Sequence, residues 1–141
     1  MESGAKDASR IFVDVAVPVP LRQSFTYAAP SELREKICPG IRVAVPFGRR
    51  KLAGFVIGPA KDPGGSQWHC KSIAAILDPD PVFPEELLGF LRSAADYYMY
   101  PLGEVLRAAA PALPRSAHTR LKQQGFLGEG EEIPGAKMAI R

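Results

Sequence analysis

Short apolar runs of period two, each closed by proline or glycine, fill the chain as far as Pro84, where the apolar spacing changes to that of a helix. That switch restricts the fold to an antiparallel sheet of short strands followed by helices packed on it. "IFVDVAV" (11–17) places Ile11, Val13, Val15 and Val17 on one side, as in a half-buried strand. "PVP" (18–20) stops it, because proline cannot donate to a sheet ladder. "SFTYAAP" (24–30) reads as a second strand, with Phe25 and Tyr27 on one side and Thr26 on the other. "SELREKICPG" (31–40) suits one helical turn capped by Ser31 before Pro39-Gly40 turns the chain.

"IRVAVPF" (41–47) and "LAGFVIG" (52–58) form a hairpin whose tip carries Arg49, Arg50 and Lys51. The Pro, Gly and Ser content of "PAKDPGGSQW" (59–68) marks a loop, and "HCKSIAAIL" (69–77) a last strand ended by "DPDP". Five such strands suit a small, strongly bent antiparallel sheet or a partly open barrel. In "PEELLGFLRSAADYYMY" proline takes the first helical position, two glutamates the first turn, and Leu87, Leu91, Ala94, Ala95 and Tyr98 one face. Pro101 breaks that helix; "LGEVLRAAA" follows with Leu102, Val105, Leu106 and Ala109 together, ended by Pro111 and Pro114. The expectation is an α+β domain over 11–114, its helices paired, with a disordered leader over 1–10. Residues 115–141 read either as a flexible tail or as the truncated start of a further domain.

With 141 residues and 46% hydrophobic content, the chain can bury a core. A net charge of +3 permits nucleic-acid binding without requiring it. Cys38 and Cys70 lie far apart with no CxxC, and His69 and His118 complete no ligand set, so the expectation is free thiols and no metal. The N-terminus lacks the apolar stretch of a signal peptide and no run is long enough to span a bilayer, which points to the cytoplasm.

Signatures of catalysis are missing: there is no GxxxxGK[ST], GxSxG or HExxH. Carboxylate pairs such as Glu85-Glu86 and Glu131-Glu132 fall at a helix start and in the tail, outside any cleft that would split their acidities. What remains is a basic and aromatic set: Arg42, Arg49, Arg50 and Lys51 without an interposed acid, Lys71 heading the last strand, and the rings of Phe25 and Tyr27. Cations for phosphate and rings for bases are the means by which nucleic acid is held. The same residues also admit plainer roles: a solvated hairpin tip, a core phenylalanine, and a glycine demanded by its turn. A β-barrel module taking a peptide in a groove is the alternative from another functional class.

Four blocks in order, "VDVAVPVPLRQSFTY", "PGIRVAVPFGRRKLAGFVIG", "CKSIAAILDPDPVF" and "AADYYMYPLGEVLRAAAPALP", resemble the N-terminal 3′-DNA-binding domain of the PriA family of bacterial primosomal replication-restart helicases. The resemblance covers roughly residues 11–114. It implies binding of the 3′ end of the nascent leading strand at stalled or abandoned forks. Full-length members are ATP-dependent superfamily 2 DNA helicases, in which a winged helix, motor lobes and zinc-binding segments follow this domain. ATP and zinc are implied only for those parts, and no cofactor is implied here. Forked or 3′-ended DNA is the implied partner, with primosome proteins and single-stranded-DNA-binding protein. Carried over, Phe25 and Thr26 line the pocket around the terminal nucleotide, Gly48 admits its sugar, and Lys71 reaches sugar or phosphate; Tyr27, Arg49 and Arg50 flank. Family members often carry an acid where this chain has Thr26, whose neutral hydroxyl makes a weaker partner for a base.

Overall fold

The structure, a computed structural model, describes residues 11–62, 71–112 and Gln123. It contains β1 (Ile11–Ala16), β2 (Phe25–Ala29), β3 (Arg42–Phe47), β4 (Arg50–Ala60), β5 (Ala75–Ile76), α1 (Glu85–Tyr97) and α2 (Leu102–Ala109). The strands form one antiparallel sheet in the order β2-β1-β4-β3-β5. As expected from the sequence, the fold is α+β, with a bent five-stranded sheet preceding two helices.

β4 is longer at both ends than the apolar run "LAGFVIG" suggests, because it serves two partners. Its first half pairs with β3 and its second half with β1. A register shift between Asp14 and Val15 lets β1 bend where it follows β4. The bend brings the two edges of the sheet together. The Tyr27 hydroxyl on β2 donates to the Pro46 carbonyl on β3 at 2.7 Å.

The strand expected over 69–77 is mostly not a ladder strand, although 69 and 70 lie outside the described residues. Its backbone bonds are divided. Ala28 on β2 donates to the Lys71 carbonyl at 2.9 Å and accepts from Ile73 at 3.0 Å. Ala74 and Leu77 donate the other way, to Ala44 and Arg42 at the β3 edge, at 2.8 and 2.9 Å. A segment shared between two edges satisfies both without completing a ladder to either, so the barrel stays partly open.

The period-two expectation of half-buried strands understates the burial. Val13, Val15, Val17, Tyr27, Val43 and Val45 fill the concave side of the sheet. On the convex side Ala16, Phe55 and Ile57 pack with Phe83, Leu88 and Leu106. Each fully buried aliphatic side chain contributes about 1.5–3 kcal/mol.

The helices sit as a pair on that second face, in a register different from the expected one. Pro84 is the N-cap residue rather than the first helical residue, with φ −59° and ψ 155°. Leu88 and Ala95 are buried and Leu91 packs beside them, whereas Leu87 and Tyr98 are exposed. Leu87 and Leu88 both suit an apolar stripe, and Phe55 and Phe83 beneath the helix select Leu88. In α2 the buried residues are Gly103 and Leu106, and Ala109 faces outward. A methyl on Gly103 would overlap the Val17 carbonyl at 1.7 Å, so glycine is what lets α2 rest on the chain leaving β1. Residues 31–36 form successive turns, and only Ile37 donates four residues back, to Leu33 at 3.2 Å. The helical turn expected there does not grow into a helix. The leader, and all but Gln123 of the segment after 114, lie outside the described residues.

Candidate nucleic-acid interface

β3 and β4 meet through a two-residue turn, Gly48-Arg49, closed by the pairing of Phe47 with Arg50. Gly48 has φ +63° and Arg49 does not have positive φ, the sign pattern of the type II′ turn that matches strand twist. Among the described residues nothing lies within 4 Å of where a Gly48 side chain would begin, so its backbone is open to approach from them.

Two other segments reach this turn. The Lys71 ammonium donates to the Gly48 carbonyl at 3.3 Å. The Phe25 ring, at the start of β2, stands edge-on to Phe47 with centroids 5.1 Å apart and planes at 79°. Phe25, Gly48 and Lys71 are therefore gathered at one mouth of the barrel by the same curvature that draws β2 towards β3. Phe47 was missed in the sequence. The signal was present, because Val43, Val45 and Phe47 alternate on the concave side.

Tyr27 and Thr26 take different places. Tyr27 is only 5% exposed, so its ring lies in the core and its hydroxyl braces Pro46 just before the turn. The pleat directs Thr26 to the opposite face of β2 from Phe25 and Tyr27. There its hydroxyl donates to the Asp14 carboxylate on β1 at 3.0 Å. Among the described residues the Thr26 hydroxyl is thus directed to Asp14 rather than to Gly48 or Lys71.

Arg42 must be removed from the basic set. It is 2% exposed, and its guanidinium holds Asp78 in a two-point pair of 2.7 and 3.1 Å. A third bond, of 2.9 Å, goes to the Pro111 carbonyl. The aspartate that sequence reading treated only as a strand terminator is thus the partner of a buried cation. Arg49 and Arg50 remain exposed, with no hydrogen bond or ion pair among the described residues. From Ile37 to Lys61 the chain has no acidic residue to offset them.

The mouth offers a carbonyl acceptor, an ammonium with donors to spare, a ring, and two unneutralised guanidinium groups. Such a set can hold a polar, anionic ligand. No helix among the described residues is long and apolar enough to cross a membrane.

Comparison with known proteins gives a family match over residues 14–111, to the model described as the 3′DNA-binding domain (3′BD) of PriA. The replication restart protein PriA of Treponema pallidum is 34% identical over 108 residues, covering 74% of this chain and 16% of that protein. For the Haemophilus influenzae protein of the same name, identity is 34% over 110 residues, covering 78% and 15% respectively. The Bacillus subtilis protein is 30% identical over 126 residues, covering 87% and 15%. The chain thus spans about one sixth of the length of the curated relatives it matches.

Proposed function

The chain belongs to the 3′-DNA-binding-domain (3′BD) family found in PriA replication restart proteins, and from that premise we propose that it binds the 3′ end of the nascent leading strand at stalled or abandoned replication forks. The observation that carries the reading is the convergence of Phe25, Gly48 and Lys71 at the hairpin turn, with Lys71 bonded to the Gly48 carbonyl at 3.3 Å. In this reading Phe25 packs against the terminal sugar or base. The 3′-hydroxyl donates to the second lone pair of the Gly48 carbonyl and accepts from Lys71. Arg49 and Arg50 neutralise flanking phosphates without reading sequence.

The donor and acceptor pattern supplies the end specificity. A terminal hydroxyl can donate to the Gly48 carbonyl, whereas a terminal phosphate dianion sets oxygen lone pairs against it. A site built around a hydrogen bond discriminates strongly against a ligand that cannot make it. Lys71, Arg49 and Arg50 would attract either end, so charge alone does not discriminate.

Within a protein of the relatives' length, such a domain would orient an ATP-dependent superfamily 2 motor on the fork. Primosome proteins and single-stranded-DNA-binding protein would then be partners of the whole assembly. Fluorescence anisotropy with forks ending in 3′-hydroxyl or 3′-phosphate tests the end reading. The hydroxyl fork should bind at least about tenfold more tightly, corresponding to ~1.4 kcal/mol. Equal affinities would refute end recognition while leaving general DNA binding possible.

A further inference from the structure

A cleft of about 490 Å³ opens between the start of β2 and the face of α1, lined by Arg22, Ser24, Arg92, Ser93, Asp96 and Tyr100. We propose that this cleft carries the nucleotides preceding the last two at the 3′ terminus, with Arg22 and Arg92 neutralising their phosphates. The inference rests on the end-binding reading above and extends it from the terminal nucleotide to the path of the strand.

Continuity along the chain is the first reason. Ser24 lines the cleft and immediately precedes Phe25, which stands against Phe47 at the barrel mouth. Ser24 is the last residue before β2 begins at Phe25, so the cleft starts one residue from the mouth. A strand seated by its end against Phe25 and Gly48 therefore has the cleft as its next polar surface round the edge of β2.

Charge is the second reason. Arg92 is exposed and has no ion-pair or hydrogen-bond partner among the described residues. Among the described residues Arg22 approaches only Asp96, at 3.7 Å, with the two side chains 47% and 86% exposed. Such an exposed pair is worth little and yields readily to a phosphate. Tyr100, 56% exposed at the rim, offers a ring face to a base, and the serine hydroxyls can donate to phosphate oxygens.

The charge also sets where the path ends. A neighbouring cavity of about 370 Å³ shares Ile57, Gly89 and Arg92 but adds the carboxylates of Asp14 and Glu85. Phosphate is disfavoured there. The cleft thus holds a short stretch of strand, of about two phosphates for its two arginines, before the DNA must leave the surface.

The test is an NMR chemical-shift titration of the full chain with 3′-hydroxyl strands of about two and about eight nucleotides. The longer strand should bind more tightly and shift the Ser24, Arg92 and Ser93 amides; the dinucleotide should shift the Gly48 and Lys71 amides alone. Arg92→Glu should weaken the longer strand about tenfold and leave dinucleotide binding unchanged. In Arg22→Ala/Arg92→Ala the salt slope for the longer strand should fall by about 0.7 for each arginine. Unchanged affinity and slope in these variants, with circular dichroism confirming the fold, would overturn the path. Loss of the preference for 3′-hydroxyl over 3′-phosphate in the unaltered chain would instead strike the end-binding reading, so the two failures are distinguishable.

Discussion

The two ends of the β3–β4 hairpin are built from the same residue types and put them to opposite uses. At the base stand a positive-φ glycine, Gly40, and an arginine, Arg42; at the tip stand Gly48, also with positive φ, and Arg49 and Arg50. At the base a later segment closes over them. Asp78 pairs with Arg42, and the Phe83 backbone lies so close that a Gly40 side chain would meet its carbonyl at 2.1 Å. At the tip the later segment supplies Lys71, a cation rather than an anion, and the glycine faces open space. The chain that crosses a charged position, rather than the position itself, decides whether an arginine holds the fold or remains available to a ligand.

The sharpest way to break this contrast is at Arg42. Asp78→Ala leaves a buried guanidinium with one carbonyl partner, and Arg42→Ala leaves a nearly buried carboxylate. Breaking one side of a buried pair costs about 3–5 kcal/mol, whereas Arg49→Ala should change stability by less than about 0.5 kcal/mol. Urea denaturation followed by circular dichroism measures both. A cost below about 1 kcal/mol for Asp78→Ala would show that the base depends on its ion pair no more than the tip does.

The two glycines give the next largest difference. Gly40→Ala and Gly48→Ala share the left-handed strain, about 1–2 kcal/mol. Only the first must also push aside the Phe83 backbone, adding about 1–3 kcal/mol of overpacking. The Gly48 variant should instead be the one that weakens binding of 3′-ended DNA, because its methyl would occupy the approach to the turn. Equal denaturation midpoints for the two would contradict the closeness of Phe83 to the base.

Much of the fold was legible because strand and helix periods survive in the sequence. The concave valines follow from simple alternation, whereas the pairing of Phe25 with Phe47 depends on the bend that brings β2 towards β3. What was not legible depends on contacts between distant segments. Nothing local tells Arg42 from Arg50 until Asp78 crosses the base of the hairpin. Leu87 and Leu88 are equally apolar, and only Phe55 and Phe83 beneath α1 choose between them. Segment 71–77 reads as an ordinary strand, yet its hydrogen bonds are split between two sheet edges, which a single-strand pattern cannot encode. At the site, the resemblance named Phe25, Gly48 and Lys71 together, and folding brings them together. It also named Thr26, whose hydroxyl the pleat sends across to Asp14.

Lys71→Ala separates binding from stability at the tip. Its side chain is exposed and makes one bond to a carbonyl that water can satisfy, so the denaturation midpoint should hardly move. Affinity for a 3′-hydroxyl fork should fall about tenfold, or ~1.4 kcal/mol. Anisotropy titration against the unaltered chain reads this directly, and an unchanged affinity would remove Lys71 from the site.

The smallest expected effect is the most diagnostic for the two arginines of the turn. They stand beside Gly48 but, unlike Lys71, make no bond to it, so their contribution should be electrostatic and indifferent to how the strand ends. Arg49→Ala/Arg50→Ala should therefore weaken hydroxyl-ended and phosphate-ended forks by the same few-fold factor. The plot of log affinity against log salt should become shallower by about 0.7–0.9 for each arginine. Binding titrations between about 50 and 200 mM salt give both quantities. If the double variant instead abolishes the preference for the hydroxyl end, end recognition resides in the guanidinium groups, and the open glycine backbone at the tip loses the role that distinguishes it from Gly40 at the base.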